Sequence, residues 1–363
     1  MLVFAIMKIL FCINNLGVGG AERLVVDDIN EMLNRGYHVR LLTLKNEPKF
    51  SLLDELKLPK KYRQTVSFSS FFNIFNWIKV FNYLRREKPN IVLTHLWFSN
   101  TIVRIVCKMA RINNVFCFEH NIYDTLKSEK MYKIDRFLQE WSKKIIAVSS
   151  AVRRSLLKHG IKEKNIITIN NGIVISKYEK SQDILTREKL GIPKDTFVFL
   201  TIGRLVYQKG IDILLKAFAE VNHKSTLLIV GHGKEEYNLK KLTTKLNIDN
   251  TVHFLGTRSD IPKILSICDC FVLASRFEGL GIVILEAMAS KKPIIISDFE
   301  AGEDIIKNGV EGLVVPKENV ESLKNAITRL KSDPNLMKKL AQSAYEKVQD
   351  FSIQNHVNKI LNL

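Results

Sequence analysis

Short apolar runs alternate with longer amphipathic stretches along most of this chain of 363 residues. The runs are rich in Ile, Val, Leu and Phe, as are strands that are buried on both faces of a sheet. Their alternation with amphipathic stretches is typical of βαβ units, in which a helix connects two parallel strands. The pattern therefore predicts an α/β fold built on parallel sheets.

The predicted strands form two series, separated by a polar stretch. The first series lies at 8–13, 39–44, 91–95, 115–119, 145–148 and 166–169, and the second at 197–202, 226–230, 252–255, 270–274, 293–297 and 312–315. Asn170-Asn171-Gly172 and the polar residues that follow, to about Lys194, are typical of a crossover between domains. The chain is also longer than one typical domain.

We therefore predict two doubly wound, Rossmann-like domains, 1–176 and 177–345, that face each other across a cleft. A hinge is expected near 172–185. The last segment, 346–363, is predicted to be helical and to cross back to the first domain. Because ligands of such sheets bind beyond the carboxyl ends of the strands, we expect the functional site in the cleft.

The composition is that of a globular protein and constrains its partners only through charge. Hydrophobic residues make up 46% of the chain and charged residues 25%, which excludes the disordered and collagen-like classes. The 55 basic residues exceed the 37 acidic ones, and the net charge of +18 predicts an anionic partner: nucleic acid, a membrane or a phosphorylated substrate. The lysines are dispersed along the chain, however, so the positive charge is equally consistent with a generally lysine-rich composition that reflects no particular partner.

No apolar run reaches the roughly 18 residues that a transmembrane helix needs. The longest, 1–13, contains Lys8 and lacks a basic leader, so we interpret it as a first strand, with Met7 as an alternative start, and expect a cytoplasmic protein. The five cysteines lack C-x-x-C spacing and are expected to be reduced core thiols rather than zinc ligands: Cys12, Cys107, Cys117, Cys268 and Cys270.

Glycine-containing turns follow the first strand of each series. In the first, Gly19 and Gly20 allow close backbone approach, and the helix that follows offers N–H groups to a phosphate. An ordinary tight turn is the alternative, since the spacing is not G-x-G-x-x-G. In the second, Arg204 and Lys209 together suit a diphosphate, although solvated surface cations would produce the same pattern.

Two glutamates flank the start of an apolar helix in the second series. Glu278 lies in a loop with Gly279 and Gly281, and Glu286 is the only charged residue in the helix predicted at 282–289. A buried carboxylate costs several kcal/mol unless it is bonded, so Glu286 is expected to have a dedicated partner. Ligand hydroxyls would supply one, and a structural salt bridge is the alternative.

Taken in order, these motifs resemble bacterial glycosyltransferases of family 4, which have the two-domain GT-B fold, over nearly the whole chain. The matching motifs are Gly-Gly-Ala-Glu-Arg at 19–23, Glu-His-Asn at 119–121, Val-Ser at 148–149, Asn-Gly-Ile at 171–173, Gly-Arg at 203–204 with Lys-Gly at 209–210, Gly-His-Gly at 231–233, Phe-Leu-Gly at 254–256 and the glutamate segment at 278–289. The resemblance implies an enzyme that transfers a sugar from a nucleotide-sugar to a glycan or lipid-linked acceptor of surface polysaccharide, lipopolysaccharide or capsule biosynthesis.

The resemblance also implies two sets of site residues. The catalytic set comprises His120, which would face the transferred sugar, with Arg204, Lys209 and Glu278. The donor-binding set comprises Gly19 and Gly20 near the phosphates, Arg204 and Lys209 on the diphosphate, Gly231 and Arg258 beside the nucleobase, Glu278, Leu280, Gly281 and Ile282 around the sugar, and Glu286 on the ribose hydroxyls.

The chain departs from the family pattern at three places. Leu280 replaces a more usual Phe, Ala274-Ser275-Arg276 replaces a common Pro-Ser pair, and Val174 stands where Asp is frequent. The first two weaken any transfer of sugar identity from relatives. A UDP-linked hexose or N-acetylhexosamine is expected as the donor only because UDP is common in the family.

No D-x-D triplet occurs in the chain, and Arg204 with Lys209 can neutralise a diphosphate, so we expect no metal and no other cofactor. The resemblance implies retention of anomeric configuration, with a phosphate oxygen taking the acceptor proton. The protein would then position groups and stabilise charge rather than supply a nucleophile.

The segment 68–88 is dense in aromatic residues and contains Arg85-Arg86 near its end. If it is helical, Phe71, Phe72, Phe75 and Ile78 fall on one face. This face could pack on the core, or it could meet an anionic membrane together with the basic stretch 127–164. The second interpretation predicts peripheral attachment to the inner face of the cytoplasmic membrane.

Two alternatives to the transferase stay open at this point. A sugar-nucleotide epimerase or hydrolase of the same fold would consume the donor without an acceptor. A catalytically inactive basic module would bind nucleic acid or a membrane. The intact set of Arg204, Lys209, Glu278 and Glu286 argues against the inactive module, and no known nucleic-acid motif occurs, so no nucleic-acid partner is expected.

Overall fold

The structure, a computed structural model, describes residues 7–122, 127–179, 186–221 and 224–363. The possible extension at 1–6 and the part of the predicted hinge at 180–185 lie outside the described residues. The chain divides into two compact units: Met1–Gly172 with Ile353–Leu363 (unit 1), and Ile173–Ser352 (unit 2). The predicted boundaries were 176/177 and 345/346, whereas the structure divides the chain at 172/173 and 352/353.

Unit 1 contains a seven-stranded parallel sheet. Its strands are β1 (Lys8–Ile13), β2 (His38–Thr43), β3 (Arg63–Thr65), β4 (Ile91–His95), β5 (Val115–Glu119), β6 (Lys144–Ala147) and β7 (Ile166–Thr168). Their order is β3-β2-β1-β4-β5-β6-β7. The sequence pattern missed β3, because this edge strand is short, polar and mostly exposed.

Unit 2 contains a six-stranded parallel sheet. Its strands are β8 (Phe197–Ile202), β9 (Ser225–Val230), β10 (Val252–Gly256), β11 (Cys270–Leu273), β12 (Ile294–Ser297) and β13 (Leu313–Val315), in the order β10-β9-β8-β11-β12-β13. The strand order reverses between β1 and β4 in unit 1 and between β8 and β11 in unit 2. These are the topological switch points, where open α/β sheets bind ligands.

Helices connect the strands in both units. They are α1 (Gly20–Asn34), α2 (Ile74–Glu87), α3 (Trp97–Met109), α4 (Glu129–Leu138), α5 (Ser150–Lys158), α6 (Ser176–Glu179), α7 (Ile211–Ala219), α8 (Glu236–Lys245), α9 (Ile261–Ile267), α10 (Ile282–Ala289), α11 (Val320–Ser332), α12 (Pro334–Val348) and α13 (Ile353–Leu361). Among the described residues, we find no helix with the length and hydropathy required to cross a membrane. The α/β class with two Rossmann-like units is confirmed.

The core of each unit consists of the apolar strands and the helix faces that cover them. In unit 2, Phe199 of β8 is fully buried and meets Phe218 of α7 edge-on, with ring centroids 6.2 Å apart. Burying a side chain of this size stabilises the fold by roughly 1.5–3 kcal/mol. All five cysteines are buried and free, which confirms the expectation of core thiols. Burial raises the pKa of the Cys117 thiol to about 12, far from that of a reactive thiolate.

Helix α13 returns to unit 1 and packs against α1. Arg35, at the end of α1, donates to the Gln354 carbonyl at 3.1 Å and to the Asn358 side chain at 2.6 Å. His356 of α13 makes a 2.7 Å hydrogen bond from Nδ1 to the Asn170 carbonyl, and its Nε2 lies 3.4 Å from the buried Asp28. Polar contacts therefore hold the last helix of the chain to the first helix and to the end of the first strand series.

Candidate active site

Most of the predicted donor-binding residues of unit 2 follow the carboxyl ends of its strands. Gly203 and Arg204 come after β8, Gly231 after β9 and Arg258 after β10, while the loop 274–281 follows β11. Because these strands are parallel, their carboxyl ends lie at one edge of the sheet. The topology therefore brings residues that are distant in sequence to a common edge.

The turns at this edge are in backbone contact, and glycine makes that contact possible. A Cβ on Gly231 would lie 1.9 Å from the Gly203 carbonyl oxygen, and one on Gly210 would lie 2.0 Å from the Ala274 carbonyl oxygen. Both glycines also have positive φ, at 137° and 59°. The Gly231 N–H donates to the Gly256 carbonyl at 2.8 Å, which ties the turn after β9 to the end of β10.

Lys209 and Glu278, which are 69 residues apart, form an ion pair at this edge. The Lys209 Nζ lies 2.5 Å from the Glu278 Oε1, and both side chains are largely buried, with exposed fractions of 13% and 7%. The alternative of a solvated surface cation is therefore wrong for Lys209. Its ammonium has three donors, so the ion pair leaves Lys209 able to contact a second anion.

Glu278 accepts two further hydrogen bonds, from side chains that sequence reasoning did not single out. Ser275 Oγ donates to Oε1 at 2.7 Å, and Gln208 Nε2 donates to Oε2 at 3.3 Å. Ser275 is fully buried, and its own backbone carbonyl accepts from Ser297. Three donors from two different loops thus fix the carboxylate. A buried charge needs such hydrogen bonds to offset the loss of its hydration.

Arg276, one of the departures from the family pattern, anchors the turn that carries Lys209. Its guanidinium binds Asp212 bidentately, with both distances at 2.9 Å, and stacks over the Tyr207 ring at 3.9 Å. It also pairs with Glu318 at 2.7 Å. Burial by itself would raise the pKa of Asp212, but the hydrogen bonds and charge of Arg276 outweigh it and lower the pKa. Hydrogen bonds to Asp212 and Glu318 raise the pKa of Arg276. Arg276 therefore ties the loop that follows β11 to the turn that carries Lys209.

Arg204 differs from Lys209 in its surroundings. Its side chain is exposed, and no ion pair or hydrogen bond joins it to any side chain among the described residues. It stands two residues beyond β8, at the strand next to the switch point. The guanidinium keeps all five donors available at this position.

Glu286 lies in α10 and is buried, with 6% of the residue exposed. The Tyr178 hydroxyl, from α6 in the same unit, donates to its Oε1 at 2.8 Å. The expected dedicated partner of this carboxylate is thus a tyrosine that no motif indicated. Gly281 begins the helix with φ of 85°, and its neighbours Leu280 and Ile282 are buried.

Arg258 follows β10 and is committed to a local partner. It binds Asp260 bidentately at 2.8 and 2.7 Å, and this contact lowers the pKa of the Asp260 carboxyl. The guanidinium is only partly buried. Arg258 is connected to the other site residues through the backbone: Gly256, two residues earlier, accepts the hydrogen bond from the Gly231 N–H.

In unit 1, the glycine turn after β1 leads directly into α1. Gly19 is the N-cap residue, with extended backbone, and Gly20 is the first helical residue. Arg23 of the same motif forms a bidentate ion pair with Glu55, and one of its two bonds is 2.7 Å long. The motif therefore places a partly exposed helix N-terminus at the carboxyl end of β1, beside the switch point of unit 1.

His120 follows β5 and is buried, with 8% of the residue exposed. Its Nε2 lies 3.0 Å from Nδ1 of His95, the last residue of β4, and the two rings are stacked. Burial lowers the pKa of His120 to about 3, so the imidazole is neutral at physiological pH. His95 was not predicted as a site residue, because a histidine at the end of a strand carries no distinctive spacing.

Four buried charged side chains support the end of β5, immediately before His120. Lys127 lies 3.2 Å from Glu119 and 2.7 Å from Asp135, and Asp135 also pairs with Arg104 at 2.7 Å. Asn100 donates to the Glu119 side chain at 3.1 Å. Two cations and two anions balance one another in this cluster, which fixes Glu119 and hence the chain that leads into His120.

The aromatic segment of unit 1 differs in part from its prediction. Helix α2 begins at Ile74, so Phe71 and Phe72 precede the helix and do not share its face. Phe71 packs edge-on against Trp77, with ring centroids 5.2 Å apart. Phe72, Phe75 and Ile78 are 91%, 73% and 49% exposed. A core-facing position is therefore wrong for these three side chains.

Comparisons with known proteins agree with this architecture. A family model described as Glycosyltransferase Family 4 matches residues 18–177, and one described as Glycosyl transferases group 1 matches residues 182–347. The first match ends and the second begins close to the boundary between the units. Together they cover most of the chain.

Two curated relatives carry specific activities in their names. The UDP-Gal:alpha-D-GlcNAc-diphosphoundecaprenol alpha-1,3-galactosyltransferase of Escherichia coli is 27% identical, over 95% of this chain and 93% of its own length. The N,N'-diacetylbacillosaminyl-diphospho-undecaprenol alpha-1,3-N-acetylgalactosaminyltransferase of Campylobacter jejuni is 29% identical, over 75% of this chain and 77% of its own.

Among solved structures, Anabaena Alr3699/HepE in complex with UDP and glucose shares the fold, with a TM-score of 0.89 at 24% identity and 98% coverage of both chains. The likeness confirms the GT-B class for this pair of Rossmann-like units. With both units matched by glycosyltransferase models, the chain belongs to the glycosyltransferases of family 4 and is an enzyme.

Proposed function

We propose that this glycosyltransferase moves a sugar from a UDP-sugar, a UDP-hexose or UDP-N-acetylhexosamine, to a lipid-linked or glycan acceptor, with retention of anomeric configuration and without a metal. The observation that carries the proposal is the edge of unit 2, where Lys209, Glu278 and the exposed Arg204 follow the strands at a switch point. No catalytic nucleophile is invoked, because positioning and charge stabilisation suffice for this chemistry.

The nature of the donor is supported by the neighbours. The Anabaena protein was solved with UDP, with UDP-glucose, and with UDP and glucose. The Escherichia coli relative is named for a UDP-linked galactose donor. Both this relative and the Campylobacter jejuni relative are named for acceptors attached to diphosphoundecaprenol. We therefore favour a lipid-linked acceptor over a free glycan.

Five of the predicted site residues have a proposed part in binding the donor. Arg204 and Lys209 bind the diphosphate, where a planar fork and a point charge complement each other. Glu286, held by Tyr178, accepts hydrogen bonds from the ribose hydroxyls. Glu278, fixed by its three donors, accepts from hydroxyls of the donor sugar, and His120 contacts the sugar that is transferred.

Retention without a protein nucleophile requires the acceptor hydroxyl to attack on the face from which the diphosphate leaves. The leaving group gains negative charge as the glycosidic bond breaks, and Arg204 with Lys209 stabilises that charge. A phosphate oxygen accepts the acceptor proton, so the protein needs no general base of its own. Two cations at the diphosphate take the place that a divalent metal would otherwise fill.

The first test is thermal stabilisation by a panel of UDP-, GDP- and ADP-sugars, because a ligand that binds only the folded protein raises its Tm. We expect UDP-sugars to stabilise the wild type, by about 2.7 kcal/mol at a hundredfold excess over Kd. Glu286→Ala should lose this stabilisation. Glu321→Ala serves as the control, because Glu321 is an exposed glutamate on α11 of the same unit, and it should respond as the wild type does.

The outcomes also separate the alternatives. Donor turnover that needs no acceptor would indicate a hydrolase or epimerase, and NMR of the product's anomeric carbon decides between retention and inversion. Stabilisation by no nucleotide, combined with salt-sensitive binding of DNA, would indicate a basic binding module. An unchanged response of Glu286→Ala to UDP-sugars would refute the proposed ribose contact.

We further propose that unit 1 attaches the enzyme peripherally to the inner face of the cytoplasmic membrane. Phe72, just before α2, and Phe75 and Ile78, within its first turns, are exposed, and Arg85 and Arg86 lie in the last turn of the helix. An apolar face combined with cations is the pattern of an interfacial helix on anionic lipid. A lipid-linked acceptor would be met at the same surface.

Flotation with vesicles tests this attachment. We expect the wild type to float with vesicles that contain phosphatidylglycerol and to stay unbound with phosphatidylcholine alone. The double variant Phe72→Ser/Phe75→Ser should bind at least about tenfold more weakly, since it removes two apolar side chains. Tyr237→Ser is the matched control, because Tyr237 is an equally exposed aromatic residue, at 76%, in unit 2. Equal flotation of both variants would contradict the proposal.

A further inference from the structure

His95 occupies a position that packing alone does not explain. It is fully buried at the end of β4, and its ring is stacked between those of Phe11 and Phe118, with centroids 6.0 and 4.4 Å away. The next residue, Leu96, has φ of 70°, a conformation that a bulky side chain adopts only when its surroundings impose it. An imidazole is thus held in place inside an aromatic stack.

The two histidines share one hydrogen bond and leave two nitrogens without partners. His95 Nδ1 and His120 Nε2 are 3.0 Å apart. His95 Nε2 and His120 Nδ1 are both buried and have no hydrogen-bond partner among the described residues. Each unpaired atom calls for an explanation, because buried polar groups are normally satisfied.

Both imidazoles are neutral at physiological pH, because burial lowers the pKa of His120 to about 3 and the pKa of His95 well below its usual value. His356, the third histidine of the cluster, lowers both pKa values further. A neutral imidazole carries one proton, so the shared hydrogen bond permits only two arrangements. Either His95 donates and His120 carries its proton on Nδ1, or His120 donates and its Nδ1 is a bare acceptor.

The surroundings of His95 favour the first arrangement. Its Nε2 lies within the stack of Phe11, Phe118 and His120, away from any described partner. Either arrangement leaves one buried N–H group without a partner among the described residues, on His95 Nε2 or on His120 Nδ1, and such groups are rare in proteins. His95 is 0% exposed and enclosed by aromatic rings, whereas His120 is 8% exposed, so of the two it is the N–H group of His120 that can gain a partner from solvent or a ligand. The His95 proton therefore belongs on Nδ1, in the shared hydrogen bond, and the proton of His120 belongs on its own Nδ1.

We propose that His95 is a positioning residue, which donates its Nδ1–H to Nε2 of His120 and so makes the Nδ1–H of His120 a neutral donor for an oxygen of the bound sugar substrate. The inference rests on the proposed function only for the identity of the ligand, a sugar substrate. The tautomer and its dependence on His95 are properties of the free protein.

A matched pair of variants separates this role from packing. Asn and Leu have similar size and shape, but only Asn can place a donor near the position of Nδ1. If His95 acts through its hydrogen bond, His95→Asn should retain the wild-type tautomer of His120, and His95→Leu should lose it. If His95 merely fills space among aromatic rings, the apolar Leu should serve at least as well as Asn.

Long-range ¹H–¹⁵N spectra of the full chain, labelled with [¹⁵N]histidine, report the tautomer directly. We expect wild-type His120 to be protonated on Nδ1 and to show no titration between pH 5 and 8. In transfer assays, His95→Leu should lower kcat by about fivefold to tenfold, the loss of one ordinary hydrogen bond, with an unchanged KM for the donor. His95→Asn should restore most of kcat.

Several results would overturn the inference. In the wild type alone, a His120 protonated on Nε2, or one that titrates near neutral pH, excludes the proposed arrangement even if neither variant folds. A His95→Leu variant with wild-type kcat and an unchanged His120 tautomer excludes a positioning role. If the spectra agree but no UDP-sugar is a donor, the proposed function fails while the histidine arrangement stands.

Discussion

Replacing Arg204 by alanine is expected to lower kcat/KM by about 10²- to 10³-fold, the effect of removing one preorganised group that stabilises transition-state charge. The Tm should not change, because the side chain is exposed and has no ion pair among the described residues. Steady-state kinetics with the donor selected by the nucleotide panel, together with thermal unfolding, measures both quantities. A large kinetic effect without a stability effect would assign Arg204 to the reaction.

Arg329→Ala is the control, because Arg329 is an exposed arginine on α11 of the same unit. It should have wild-type kinetics. The same assays test the metal: EDTA should leave wild-type activity intact, and added Mg²⁺ or Mn²⁺ should not rescue Arg204→Ala. An Arg204→Ala enzyme of normal rate, or activity that EDTA abolishes and a divalent cation restores, would refute charge stabilisation by these two cations.

Replacing Lys209 by methionine is expected to lower the free energy of unfolding of unit 2 by about 3–5 kcal/mol, the usual cost of leaving one partner of a buried ion pair uncompensated. Of its donors among the described residues, the carboxylate of Glu278 would keep Ser275 and Gln208. Because Lys209 is also proposed to bind the diphosphate, transfer should be lost as well. Urea unfolding and initial rates measure the two effects separately.

A double-mutant cycle distinguishes the ion pair from general damage. Lys209→Met/Glu278→Gln removes both charges, so it should be more stable than Lys209→Met alone, although it should be equally inactive. A recovery of stability without activity would show that the pair is both a structural contact and part of the donor site. Additive losses of stability in the double variant would contradict a direct coupling.

The strands illustrate how much of the fold follows from local pattern. The predicted residues are correct for four strands: β1, β4, β5 and β8. These strands are covered on both faces of the sheet, so each one is a continuous apolar run that is visible in the sequence. β3 was missed, since its three polar residues at the sheet edge bury too little apolar surface to leave a pattern. α2 begins later than the aromatic pattern suggested, because Asn73 caps it and its side chain accepts from the Asn76 N–H.

In the candidate site, local sequence pattern predicts the residues but not their contacts with one another. Lys209 and Glu278 were both predicted as site residues, but nothing local indicates that they pair with each other. Tyr178 lies 108 residues from Glu286, and its residue type and spacing are ordinary. Such partners become neighbours only through the strand order of a sheet, which places separate loops at one edge.

The sequence by itself determined the two-unit α/β architecture, the positions of the glycine turns and the chemical types gathered in them, because periodicity, turn residues and motifs are local properties of the chain. The tertiary structure alone decided which charges compensate one another, that Phe72 and Phe75 face outward, and that His95 meets His120. These outcomes depend on burial and on distances between segments far apart in sequence, and both are set only when the sheets are assembled.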